Sequence, residues 1–203
     1  MIKPDSSYNQ GMMPCVYSEK RVQTSGNGWY RGGTHIRYFQ TPIKSKKKPE
    51  DQPVNYTLSF RINFEYDDDC VYFSHCYPYT YSDLLDFLNK NCNPKHTKDR
   101  LKRTQICRSI AGNPLEMLII TNLASSQDDI AERPAVILSS RVHPGESNAS
   151  FIIEGTIKFL ISNELEAKIL REKYVFKIIP MLNPDGVICG NYRSSLGGHD
   201  LNR

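Results

Sequence analysis

His143 and Glu146 stand three residues apart, across Pro144 and Gly145, directly after a short apolar run. An imidazole nitrogen and a carboxylate oxygen at one strand end suit Zn²⁺, which takes both in tetrahedral sites. A catalytic site of that kind uses three protein ligands and keeps one position for water. Proline presets one backbone angle and glycine permits a tight reversal, so both side chains can turn toward one point. The pair also fits a plainer arrangement, hydrogen-bonding each other or a neighbouring loop, because His-x-x-Glu is short enough to arise by chance. Further along, Arg193, Asn202 and Arg203 offer guanidinium forks and an amide. Arginine grips a carboxylate through two parallel hydrogen bonds, so these residues suit a substrate that bears one. Structural ion pairs at the surface are the alternative.

The elements that must position these groups can be read on either side of them. Ala135 to Leu138 is an apolar run expected for a strand buried on both faces of a parallel sheet. Ser147 or Asn148 can cap a helix over roughly 148–162, and Glu164 to Lys173 continues as helix. Tyr174 to Leu182 reads as another buried strand. A strand, helix and strand with this crossover imply parallel pairing and a right-handed βαβ unit. Asn183-Pro184-Asp185-Gly186-Val187 then leaves the second strand on the same sheet edge as His143, where open α/β sheets place their sites. Before them, residues 105–110 and 115–121 read as two strands and 122–134 as a polar loop.

The amino-terminal half has a different grammar. Residues 14–18, 29–30 and 36–39 read as short strands, with no helical period over 1–40. Residues 41–55 form a polar loop. Segments 56–64 and 70–76 suggest a hairpin across Asp67-Asp68-Asp69, a turn rather than a calcium loop because the EF-hand spacing is absent. Ser82 or Asp83 can cap a helix from Leu84 to Lys90, and 91–103 reads as an exposed connection. A net charge of +4 is too mild to imply nucleic acid, and the basic run Lys44 to Lys48 reads as a solvated loop. No apolar run approaches the ~20 residues of a membrane span. Six scattered cysteines without a Cys-x-x-Cys point to a reducing cytoplasm and free thiols.

Four stretches carry a resemblance: Arg141-Val142-His143-Pro144-Gly145-Glu146-Ser147-Asn148-Ala149-Ser150, Met181-Leu182-Asn183-Pro184-Asp185-Gly186-Val187, Gly190-Asn191-Tyr192-Arg193 and Asp200-Leu201-Asn202-Arg203. In order and spacing they resemble the cytosolic carboxypeptidases, the tubulin-deglutamylating branch of the zinc carboxypeptidases. Upstream, Gly11-Met12-Met13-Pro14, Gly28-Trp29, Tyr77-Pro78-Tyr79-Thr80-Tyr81-Ser82 and Ala111-Gly112-Asn113 resemble that branch's amino-terminal β-domain. The resemblance implies an α/β protein: a β-sandwich-like domain over 1–100, then the first part of a carboxypeptidase-type domain over 101–203, with a mixed, largely parallel sheet. It implies zinc held by His143 and Glu146, Arg193 polarising the scissile carbonyl, and Asn202 and Arg203 gripping the substrate's terminal carboxylate. The implied reaction removes glutamate from C-terminal or polyglutamylated acidic tails, such as tubulin's. The implied setting is cytoplasmic, at microtubules or cilia, without nucleic acid or membrane. A non-catalytic module that binds acidic tails through Arg193 and Arg203 is the competing reading.

The chain departs from the family pattern at its end. Arg203 precedes the positions of the family's third ligand (a histidine), its general-base glutamate and its tyrosine. His199 sits inside the carboxylate-binding segment and does not replace that ligand. The β-domain also begins partway through the family's version. The expectation is a fragment, a truncated gene product or a short isoform, with weak zinc affinity and no peptidase activity on its own.

Overall fold

The computed structural model describes residues 4–26, 28–42, 55–92 and 94–203, so the basic run Lys44 to Lys48 lies outside the described residues. The chain forms two compact units, Met1–Tyr77 and Pro78–Arg203. This division lies ahead of residue 100, because helix α2 (Tyr81–Asn91) places Leu84, Phe87 and Leu88 in the core of the second unit.

In the first unit, β1 (Cys15–Ser18) is the middle of a three-stranded antiparallel sheet, between β2 (Tyr30–Arg31) and β5 (Val71–Ser74). Strands β3 (Thr34–Gln40) and β4 (Tyr56–Arg61) make a second antiparallel pair. The hairpin expected between 56–64 and 70–76 therefore does not form. Asp69, in the turn ahead of β5, accepts from the Ser18 hydroxyl at 2.5 Å and from the Lys20 amide at 3.0 Å, which fastens β5 to the end of β1 instead. The rings of Phe60 on β4 and Phe73 on β5 lie 5.5 Å apart, an apolar contact between the two sheets. Helix α1 (Glu19–Ser25), whose amino end is capped by the Ser18 hydroxyl, was not expected. With Val22 its only aliphatic residue, it shows no apolar period to read.

The second unit is built on a mixed sheet ordered β6 (Leu101–Arg108), β7 (Pro114–Ile120), β9 (Val175–Ile179), β8 (Ala135–Ser139). Strands β8 and β9 are parallel, from Ala135 opposite Val175 to Ser139 opposite Ile179. The β6–β7 and β7–β9 pairs are antiparallel, so over the described residues antiparallel pairing outweighs the largely parallel sheet expected. The strand after which His143 falls is also not buried on both faces. Among the described residues β8 pairs with β9 alone, and its Ile137 is 69% exposed.

The core lies over one face of this sheet. Leu118, Ile120 and Ile178 pack with Ile153, Ile157 and Leu160 of α5 (Ser147–Leu160) and with the apolar face of α2. Helix α2 starts one turn earlier than expected, because Thr80 and Asp83 form a reciprocal capping box. The crossover from β8 to β9 runs through α5 and α6 (Leu165–Lys173). The segments expected to be connection and loop hold two short helices, α3 (Pro94–Thr97) and α4 (Gln127–Glu132). All six cysteines are free, and among the described residues no helix is long and apolar enough to cross a membrane.

Candidate metal centre

The ends of β8 and β9 deliver two loops to one place. The Ser140 amide donates to Ile179 O at 3.0 Å, and the Leu182 amide donates back to Ser140 O at 2.8 Å. Beyond them, the Asn183 amide nitrogen Nδ2 donates to Val142 O at 3.2 Å, while its Oδ1 accepts from Gly186 N at the start of α7 (Pro184–Ile188). Gly186 is pressed against the other loop: a Cβ there would meet Pro144 Cγ at 2.5 Å and Ser194 O at 2.7 Å.

Gly145 has a role other than the reversal expected of it. Its amide donates to Tyr192 O at 2.7 Å, and a Cβ would come within 2.5 Å of Tyr192 Cδ2. Close approach demands glycine here. The unusual backbone lies instead at Arg141, with φ of +57°, a left-handed conformation costing a residue with a side chain about 1–3 kcal/mol.

This turn brings the sequence-predicted pair together. His143 is 6% exposed, and its Nδ1 lies 3.2 Å from Glu146 Oε1. Nitrogen and oxygen ligands at their usual distances from a tetrahedral zinc stand roughly 3.3–3.5 Å apart. The observed spacing and donor types therefore fit one ion held between His143 and Glu146. The expected cap at Ser147 or Asn148 is absent; Glu146 itself is the N-cap of α5 and makes no side-chain cap bond. Its carboxylate stays turned toward the imidazole.

The other imidazole nitrogen is fixed by a residue the sequence reading passed over. His143 Nε2 lies 3.1 Å from Asp200 Oδ1. Arg193 Nε donates to the second oxygen of the same carboxylate at 2.6 Å, and the Asn202 backbone N–H donates to Oδ1 at 2.9 Å. The Asn202 amide, helped by Arg193 and His143 and opposed by partial desolvation, holds the Asp200 carboxyl down to about 2. Asp200 thus joins three of the predicted positions: His143, Arg193 and Asn202. Its signal was present, an acid inside the very segment read for Asn202 and Arg203.

Arg203 is not drawn in. Its guanidinium is exposed and donates to Asn202 O at 2.7 Å, and among the described residues no polar contact joins it to His143 or Glu146. Nor, among the described residues, does any group of three His, Cys, Asp or Glu side chains converge to hold an ion.

Another carboxylate, this one buried, braces the loop from behind. Asp185, 5% exposed, accepts from the Ser109 hydroxyl at 2.5 Å, the Asn113 amide at 2.8 Å and the Ala111 backbone at 3.0 Å. Burial alone would raise its pKa; these hydrogen bonds outweigh burial and lower it. The β6–β7 turn is thereby tied to the residue preceding Gly186.

Comparison with known proteins points to one family. A family profile described as zinc carboxypeptidase matches residues 91–203. The chain is similar to cytosolic carboxypeptidase 2 of Homo sapiens, 45% identical over 203 residues, covering 100% of this chain and 22% of that protein. It is 42% identical over 201 residues to cytosolic carboxypeptidase 3 of Bos taurus, covering 99% of this chain and 19% of that protein. It therefore spans about a fifth of the length of these curated relatives. Among solved structures, a putative carboxypeptidase A from Shewanella denitrificans aligns with a TM-score of 0.68 at 20% identity, over 97% of this chain and 43% of that one. A metallo-carboxypeptidase from Pseudomonas aeruginosa aligns with a TM-score of 0.66 at 21% identity, over 97% and 45%. These two likenesses speak to the fold.

Proposed function

The chain belongs to the zinc carboxypeptidase family, and on that premise we propose that it supplies part of a zinc-dependent carboxypeptidase that removes glutamate from acidic protein tails. The observation that carries this reading is the convergence of His143 Nδ1 and Glu146 Oε1 at 3.2 Å, with Nε2 tied back to Asp200. Zinc bound between them would polarise a scissile carbonyl and lower the pKa of its water toward ~7.

The chain's own side chains have separate tasks. Asp200 orients the imidazole through Nε2 and aligns the Arg193 guanidinium through Nε. Arg193, 43% exposed at its side chain, retains its Nη groups for the oxygen on which charge develops. A donor so placed is typically worth a factor of ~10²–10³ in rate. Asn202 and Arg203 would hold the substrate's terminal carboxylate, Arg203 swinging in from its present exposed position.

Acidic tails such as polyglutamylated tubulin are the substrates we propose, in the cytoplasm, because relatives at 41–45% identity are named cytosolic carboxypeptidases and Arg193 borders the site through Asp200. A third zinc ligand and a general base are required from outside residues 1–203, so the isolated chain would bind zinc weakly and hydrolyse nothing. The test is release of free glutamate from a synthetic peptide ending in several glutamates, using the native gene product. Chelator-sensitive release, abolished by Glu146→Ala, supports the reading. Binding of the peptide without release, unaffected by chelator, would favour a module that only holds acidic tails.

A further inference from the structure

Arg141 is a buried cation of the second unit held by three hydrogen bonds. It is 5% exposed, and its backbone is left-handed. Its Nε donates to Pro144 O at 2.9 Å, Nη1 to Ser150 Oγ at 2.7 Å, and Nη2 to Tyr79 O at 3.0 Å. All three acceptors are uncharged, so no carboxylate partner accounts for its burial. Each acceptor belongs to a different piece of the site. Pro144 is in the turn between His143 and Glu146, Ser150 is on α5 one turn past Glu146, and Tyr79 precedes α2. Tyr79 is itself buried, donating its hydroxyl to Glu154 of α5 at 2.7 Å.

Residues with side chains enter the left-handed region at a cost, and glycine would avoid it. An arginine persists at such a position when its side chain does something glycine cannot. Here the planar guanidinium, with donors on three sides, spans the turn, the helix and the Tyr79 segment at once. His143 is two residues from Arg141 in the chain, and Glu146 lies between Pro144 and Ser150. The angle of the turn to the helix sets how far apart their ligand atoms stand.

We propose that Arg141 is a positioning residue for the metal pair: its guanidinium fixes the Pro144 carbonyl against α5 and so sets the spacing of His143 Nδ1 and Glu146 Oε1. The inference rests on the metal-binding reading of that pair. It assigns Arg141 no contact with substrate or ion.

The test is calorimetric titration of Zn²⁺ into the metal-free native gene product, with His143→Ala as the blank. Arg141→Gly suits the backbone angle but removes the fork, and Ser150→Ala removes one acceptor with little disturbance. Zinc affinity should fall at least tenfold in Arg141→Gly and about two- to threefold in Ser150→Ala. Arg141→Lys, which keeps the charge without the fork, should not restore it. Thermal unfolding of each variant without metal reports stability separately. Wild-type affinity in Arg141→Gly, or rescue by lysine, overturns the proposal. Should Arg141→Gly not fold, Arg141→Lys and Ser150→Ala still decide, and unchanged affinity in both overturns it. Wild-type protein binding no better than His143→Ala would instead refute the metal-binding reading itself.

Discussion

His143 and Asp200 are 57 residues apart in the chain, yet Nε2 and Oδ1 meet at 3.1 Å. An ionised carboxylate can only accept, so Asp200 favours the tautomer with the hydrogen on Nε2, which would leave the Nδ1 lone pair for an ion held between it and Glu146. That selects the nitrogen available to a metal. Asp200→Ala should lower zinc affinity by ~10–100-fold while leaving the sheet intact. Zinc titration, with far-ultraviolet circular dichroism as the fold control, checks it; an unchanged affinity would leave Asp200 without this role.

The Asp200 carboxyl also predicts a pH window. Its pKa is depressed in the folded chain to about 2, from an ordinary value near 3.8. A depressed carboxyl stabilises the fold fully above the unfolded value, and that contribution fades as pH falls through the folded one. The links from Asp200 to Arg193 and His143 should hold at pH 4 and be lost toward pH 2. A carbon-detected NMR titration of Asp200 should show its midpoint near 2, rising in Arg193→Ala. A midpoint near 4 in the wild type contradicts the observed hydrogen bonds.

Much of this arrangement was legible in the chain. The run before His143 and the apolar stretch from Tyr174 announced two strands with a helical crossover, and Ala135 to Ser139 does lie parallel to Val175 to Ile179. His143 and Glu146 do meet. What stayed hidden depends on partners far along the chain. Nothing local in Val71 to Ser74 says that it will choose Cys15 to Ser18 over the nearer Tyr56 to Arg61. An apolar run reads alike whichever strand of a sheet it forms, and among the described residues Ala135 to Ser139 pairs with Val175 to Ile179 alone. By contrast, the Thr80–Asp83 capping box was visible at its three-residue spacing and was overlooked for Ser82.

Two glycines should respond with opposite sign. At Gly145 an added Cβ would sit 2.5 Å from Tyr192 Cδ2 and 2.7 Å from Tyr192 O, so Gly145→Ala should cost about 1–3 kcal/mol. At Gly155, inside α5, a Cβ meets nothing within 4 Å, so Gly155→Ala should stabilise by about 0.4–1 kcal/mol. Urea unfolding of both variants gives the comparison. Equal effects would mean that the Gly145–Tyr192 contact is not as close as observed.

Removing the Asp185 carboxylate should strand donors on Ser109, Ala111 and Asn113. Asp185→Ala is expected to cost about 2–4 kcal/mol. Hydrogen exchange should quicken in the β6–β7 turn before it does in β9. Uniform loosening of the whole sheet would show that Asp185 supports more than that turn.

The most direct measurement is the position of zinc in crystals of the native gene product, located by anomalous scattering at the zinc edge. The account predicts a peak about 2 Å from both His143 Nδ1 and Glu146 Oε1, with Asp200 still bound to Nε2. A peak between Nε2 and Asp200, or no peak at His143 at all, would contradict it.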